Sequence, residues 1–137
     1  MGAHGLVVGL DILPVPPLPG RNIILKRGDI RDLDVRSLLA ELSLPSFDVV
    51  TSDIAPNLTG IREVDDAAMK DLYEAVVRVV TEALKRGGNF VVKVFFSPEF
   101  RDMAGDLRPL FSRVAVFKPK ASRGVSAEVY LVCTGKA

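Results

Sequence analysis

At 137 residues the chain is long enough for one domain with a core of its own, and 1–137 is read as that single domain. Apolar residues make up 48% and charged residues 26%, the balance of an ordinary soluble globular protein. No apolar run reaches the length of a membrane span, no signal-peptide pattern opens the chain, and a net charge of +1 does not by itself announce a nucleic-acid partner.

In chain order, Leu6 to Asp11 is a short apolar run that reads as a strand. Pro14, Pro16, Pro17 and Pro19 then make a stiff, extended connector, too short to separate two domains. Asn22 to Lys26 reads as a second strand, ended by Gly28-Asp29. Val35, Leu38, Leu39 and Leu42 recur at helical spacing, with Asp32 and Asp34 near the positive helix start and Pro45 beyond its end. Phe47 to Thr51 is a strand that runs into Ser52-Asp53 and then Ala55-Pro56-Asn57.

The segment from Val64 to Arg86 predicts a helix that buries Ala68, Leu72, Val76, Val79, Val80 and Ala83, with Gly87-Gly88 as its left-handed stop. Asn89 to Phe95 is the next strand. Ser97-Pro98-Glu99 reads as cap, first-position proline and acidic first turn of a helix whose inner face is Phe100, Met103, Ala104 and Leu107. Val114 to Phe117 and Ala127 to Cys133 close the chain as two strands. This β-β-α-β-α-β-α-β-β order predicts an α/β fold, a mostly parallel sheet with helices on both faces. The last two strands lack a helix between them, so they pair antiparallel or flank an intervening strand.

Three side chains stand out because each sits on a strand that otherwise wants burial. Asp53 ends its strand at a sharp turn, the edge where open α/β sheets bind ligands; capping that turn is the alternative role. Lys93 lies among Phe90, Val91, Val92 and Val94 and shares a face with Val91 and Phe95. A buried amine needs a carboxylate partner or loses its proton, unless its stem snorkels to water. Glu128 opens the last strand, where an exposed edge glutamate would be unremarkable alone. Together they form a carboxylate–ammonium–carboxylate set able to hold a substrate hydroxyl. From Arg108 to Arg123 the chain also carries Arg113, Lys118 and Lys120 with no acidic residue between, either a phosphate-contacting patch or a solvated rim. The lone Cys133 sits in an apolar strand, has no partner for an internal disulfide, and points to a reducing, cytoplasmic setting. His4, near the start, is assigned no role.

S-D-I-A-P-N (from Ser52), V-V-K-V-F (from Val91) and S-A-E-V-Y-L-V-C-T-G (from Ser126) resemble the FtsJ family of RNA ribose 2′-O-methyltransferases. L-D-I-L-P, from Leu10, resembles its acidic second strand; G-D-I-R-D, from Gly28, resembles the segment at the cofactor's adenine. K-P-K-A-S-R, from Lys118, resembles its basic loop before the last strand. The resemblance covers nearly the whole chain. It implies a Rossmann-like domain that uses S-adenosylmethionine, with an antiparallel C-terminal strand and RNA, above all ribosomal RNA, as substrate. By motif it implies catalytic roles for Asp53, Lys93 and Glu128. It also implies cofactor contacts from Asp11, Asp29 and Asp53, and RNA contacts from Lys118, Lys120 and Arg123. No metal is required.

The chain departs from the family pattern at its start. Members begin with a segment holding a first catalytic lysine, a helix, a first strand and a glycine-rich loop that cradles the cofactor's methionine part. This sequence opens just before the family's second strand, and no glycine-rich turn here follows a strand and opens a helix. The expectation is therefore a sheet with a gap, or with its flanking strands paired directly, and self-association through an exposed central edge. The activity stays open between an enzyme that keeps these three catalytic positions and a non-catalytic homologue or fragment that binds RNA or protein.

Overall fold

The computed structural model of the chain describes residues 4–53, 59–95, 97–118 and 128–137. It folds as two compact units, Met1–Asp34 and Val35–Ala137.

In the first unit β1 (Val7–Asp11) and β2 (Ile23–Arg27) run parallel, in register from Val7↔Ile23 to Asp11↔Arg27. The Gly28 amide donates to the Asp11 carbonyl at 2.8 Å, extending the ladder by one rung. A single 3-10 turn, Ile30–Asp32, follows. No described residue of this unit is buried, and a two-stranded sheet of that kind is marginal by itself.

The second unit contains α1 (Val35–Glu41), β3 (Phe47–Ser52), α2 (Arg62–Ala83), β4 (Leu84–Phe95) and α3 (Pro98–Leu107). A 3-10 turn (Arg108–Leu110), β5 (Phe111–Phe117) and β6 (Glu128–Lys136) complete it. The strands are ordered β3-β4-β6-β5. β3 and β4 are parallel, while β6 runs antiparallel to both β4 and β5. The last two strands thus pair antiparallel as expected, and β6 is the one that inserts beside β4. Among the described residues, β1 has only β2 as a strand neighbour and β3 has only β4, so each keeps one edge unpaired.

Period-two alternation builds the core. Phe90, Val92 and Val94 of β4 and Val129, Leu131 and Cys133 of β6 are all at most 4% exposed. They form one cluster with Tyr73, Val76 and Val80 of α2 and with Phe100, Met103, Ala104 and Leu107 of α3. Phe90 and Phe111 stack at 6.5 Å between ring centroids. The intervening residues Val91, Lys93, Phe95, Tyr130 and Val132 are only half-buried. Helices on both faces were expected; in this unit the described helices cover one face, which is why the strands alternate instead of being apolar throughout.

The start of α3 follows its sequence. The Ser97 Oγ accepts from the Phe100 amide at 3.3 Å, Pro98 takes the first turn, and Phe100, Met103, Ala104 and Leu107 are buried. The end of α2 does not. The helix stops at Ala83, and Leu84, 3% exposed, already opens β4 opposite Phe47. Gly87-Gly88 is therefore no helix stop: it lies inside β4, where the register with β3 shifts between Phe47 and Val49. The helix end is satisfied from far along the chain. The Lys136 ammonium donates to the carbonyls of Thr81 at 3.0 Å and Leu84 at 2.7 Å, the work a glycine cap would otherwise do.

Candidate active site

Three neighbouring strands bring Asp53, Lys93 and Glu128 together. Ser52 of β3 is level with Val92 of β4, so Asp53, the next residue, arrives beside Lys93. Across the antiparallel pair Lys93 faces Tyr130 and Phe95 faces Glu128, which makes Glu128 the diagonal neighbour of Lys93 on one sheet face. The Lys93 Nζ stands 3.3 Å from the Asp53 Oδ1 and 3.4 Å from the Glu128 Oε2. The Lys93 side chain is 26% exposed and that of Glu128 32%, while that of Asp53 is 74% exposed.

The hydrogen bond and charge of Asp53 hold the Lys93 ammonium above its ordinary pKa of 10.5; desolvation acts the other way, and Glu128 adds to the rise. Lys93 is thus a cation at neutral pH, fixed between two carboxylates. It has a route to water because its sheet face is not covered by a described helix, which corrects the reading of a strand buried on both sides. A pinned ammonium of this kind can donate to a hydroxyl oxygen and stabilise negative charge growing on it. Asp48, by contrast, only pairs with Lys85 at 3.1 Å on the surface.

Asp11 and Asp29 lie at the C-terminal ends of β1 and β2 in the first unit. The Asp11 Oδ1 accepts from the Leu13 amide at 2.9 Å, and its other carboxylate oxygen has no hydrogen-bond partner among the described residues. Asp29 caps the 3-10 turn through the Arg31 amide and is gripped by the Arg31 guanidinium, with Nη2 2.6 Å from Oδ2. That side-chain bond, then the backbone one, holds the Asp29 carboxyl below its ordinary pKa. Sequence reasoning missed the fork between these two; the acid–x–base spacing of Asp29 and Arg31 is the local signal that points to it. Arg108, Arg113 and Lys118 are exposed. Arg113 and Lys118 lie about 17 Å apart if the strand spacing is kept, and five residues on a strand set them on opposite faces, so they form no cluster. Lys120 and Arg123 lie outside the described residues, as do Ile54–Leu58 beyond Asp53. Among the described residues no group of three or more His, Cys, Asp or Glu is placed to hold a metal ion. No described helix is long and apolar enough to cross a membrane.

The sequence and the fold have known counterparts. The chain is 43% identical over 135 residues to the ribosomal RNA large subunit methyltransferase E of Magnetococcus marinus, covering 98% of this chain and 62% of that protein. It is 41% identical over 133 residues to the protein of the same name from Methylobacillus flagellatus, covering 96% of this chain and 63% of that one. The chain therefore spans a little over three fifths of the length of these relatives. Its fold matches a crystal structure described as a ribosomal RNA methyltransferase of Plasmodium falciparum. That match has a TM-score of 0.77 and 23% identity, covering 95% of this chain and 71% of that one. Human methyltransferase-like protein 13, solved with SAH, matches with a TM-score of 0.58 and 17% identity over 82% of this chain and 49% of that chain. The likenesses carry a mixed-sheet Rossmann-like methyltransferase fold. With the family model for FtsJ-like methyltransferases matching residues 1–136, the chain belongs to that family.

Proposed function

We propose that the chain is the methyl-transferring part of an RNA ribose 2′-O-methyltransferase that uses S-adenosylmethionine and acts on large-subunit ribosomal RNA. The observation that carries this reading is the Lys93 ammonium held between Asp53 and Glu128 at the end of three adjacent strands. A ribose hydroxyl is a poor nucleophile at neutral pH. Lys93 orients its oxygen and stabilises the charge that develops there, and the two carboxylates keep the ammonium charged and aimed. The relatives' name supports the substrate class. Lys118, with Lys120 and Arg123, is the basic segment assigned to the RNA backbone.

The donor set in the first unit suits the cofactor. Asp11 offers a free carboxylate oxygen to a ribose hydroxyl pair, and Asp29, already fixed by Arg31, is held rigid for an adenine contact. When bound, the cofactor supplies a methyl group activated on a sulfonium. The match of one family model over both units supports reading 1–137 as parts of a single domain. We place the protein in the cytoplasm, where a lone buried thiol stays reduced, and take the free edge of β3 as the route for self-association.

The test is equilibrium dialysis with tritiated S-adenosylmethionine, followed by transfer of label to large-subunit ribosomal RNA. Saturable binding, with transfer lost in Lys93→Ala while binding persists, is the expected result. No binding at millimolar cofactor overturns the reading and leaves a non-catalytic RNA- or protein-binding homologue. Light scattering of the same sample checks self-association, and a monomer at all concentrations removes that part.

A further inference from the structure

Lys93 begins a row that runs across the sheet to its outer edge. The register sets Lys93 of β4 level with Tyr130 of β6, and Tyr130 level with Phe117, the last residue of β5. Residues level with one another in adjacent strands project on the same face, so all three share the face of the candidate active site. Two strand spacings separate Lys93 from Phe117, about 10 Å between backbones. Tyr130 is half-buried in the middle of the row, while Phe117 at its end is 58% exposed. The Phe117 ring stacks on no other ring among the described residues.

A single exposed apolar side chain is ordinary on a protein surface, and two further observations set this one apart. Among the described residues β5 has only β6 as a strand neighbour, and an edge strand is where sheets favour charge over an exposed ring. The surroundings of the ring are also cationic. Arg113 lies four residues back along β5, level with Thr134 on the same face, and is exposed. Lys118 follows directly, and no acidic residue occurs between Arg108 and Lys118. Neither Arg113 nor Lys118 pairs with a carboxylate among the described residues. An exposed ring between cations, with no carboxylate beside it, offers a π face to a base and charge to the flanking phosphates.

We propose that Phe117 is a base-stacking residue, its ring holding an unpaired base of the RNA strand whose ribose lies at Lys93. The proposal rests on the methyl-transfer reading for the ribose, while the stacking contact itself needs neither cofactor nor reaction. The row suits such a strand, with the ribose over Lys93 at one end and a base over Phe117 at the other. Every base has a π face, so the contact supplies affinity without reading base identity. Bases inside a duplex are already stacked on one another, so the same ring selects unpaired RNA over a helix. The base does not change during methyl transfer, so the contact is equally strong before and at the transition state and acts on KM.

The test uses the full chain and fluorescence anisotropy with a labelled short oligoadenylate, compared with an abasic ribose–phosphate chain of the same length. The unaltered chain is expected to prefer the oligoadenylate, and Phe117→Ala to cut that preference about tenfold, the loss of one base stack. Phe117→Trp is expected to keep the preference, and Phe117→Leu, apolar without a π face, to lose it. Arg113→Ala is expected to weaken both ligands alike. Val116→Ala, which removes a 50% exposed apolar side chain from the opposite face of β5, is expected to weaken neither. Thermal melts confirm that each variant is folded. In methyl transfer to ribosomal RNA the Phe117→Ala loss is expected in KM, with kcat at saturating RNA unchanged. A chain that shows the Phe117-dependent preference yet transfers no methyl group would overturn the methyl-transfer reading and leave the stacking contact standing. A preference that is absent, that survives Phe117→Ala or Phe117→Leu, or a loss confined to kcat would overturn the proposal. If Phe117→Ala instead lowers the mass seen by light scattering with the preference intact, the ring belongs to a contact between copies of the chain.

Discussion

Gly88→Ala separates the two readings of the Gly87-Gly88 pair. As a helix stop, the pair would depend on Gly87, which has φ +79°, and would tolerate a side chain at Gly88. Inside β4 the ranking reverses. A Cβ on Gly87 meets nothing within 4 Å, so alanine there costs only the left-handed backbone, about 1–2 kcal/mol. A Cβ on Gly88 would lie 2.9 Å from the Asp48 carbonyl oxygen and 2.7 Å from the Leu84 Cδ1. Leu84 is 3% exposed and has little room to swing away, so β3 must retreat by about half an ångström to restore ordinary contact at 3.4 Å. Overpacking against backbone lies at the upper end of the range, about 3 kcal/mol. Either alanine stiffens the unfolded chain and returns about 0.4–1 kcal/mol. The net loss is then about 1 kcal/mol for Gly87→Ala and at least about 2 kcal/mol for Gly88→Ala, or roughly 4 and 8 °C in Tm. Urea unfolding followed by far-UV circular dichroism reads both. The retreat of β3 also draws Asp53 from Lys93, so the lysine pKa, followed by NMR of its Cε, should fall in Gly88→Ala alone. Gly87→Ala as damaging as Gly88→Ala, or an unmoved lysine titration, would refute the close packing of Gly88 on β3 as what holds Asp53 beside Lys93.

Lys93 also predicts an alkaline limb. Its folded pKa is raised, so its pairing contributes fully below 10.5 and is lost as pH rises through the folded value; Asp53→Asn should lower urea midpoints slightly near neutrality and flatten their fall above pH 10.5, where the two proteins converge. The acid side belongs to other groups: Asp65, its pKa lowered first by the Thr59 amide, contributes above 3.8 and loses that contribution as pH falls through its lowered value, so Asp65→Asn should blunt acid unfolding. Leu131→Ala, at a fully buried position of β6, should cost about 3 kcal/mol in the same urea assay. Burial pushes the Cys133 thiol up to about 11, so Ellman's reagent at pH 8 should label it slowly in the folded protein and fully in urea.

How far the sequence could be read depended on how far apart the interacting groups lie along it. The α3 start was legible because Ser97, Pro98 and Phe100 settle it within one turn. Lys93 was legible as an anomaly because it is a lone charge inside an apolar run, Phe90 to Phe95, that reads as a strand. Its two carboxylates were each ambiguous alone. The end of α2 was misread because its carbonyls are satisfied by Lys136, more than fifty residues away, and no local pattern announces that donor.

Local chemistry by itself determined the order of the strands and helices, which faces are apolar, and that Asp53, Lys93 and Glu128 are unusual residues for their positions. Only tertiary structure decided that they meet. β6 must insert beside β4, antiparallel, for Glu128 to reach within 3.4 Å of Lys93. It also decided that Lys93 lies on the sheet face that no described helix of its unit covers, and stays charged there. Strand order and the covering of a face are properties of pairings distant in sequence, and the residues between them carry no record of which pairing wins.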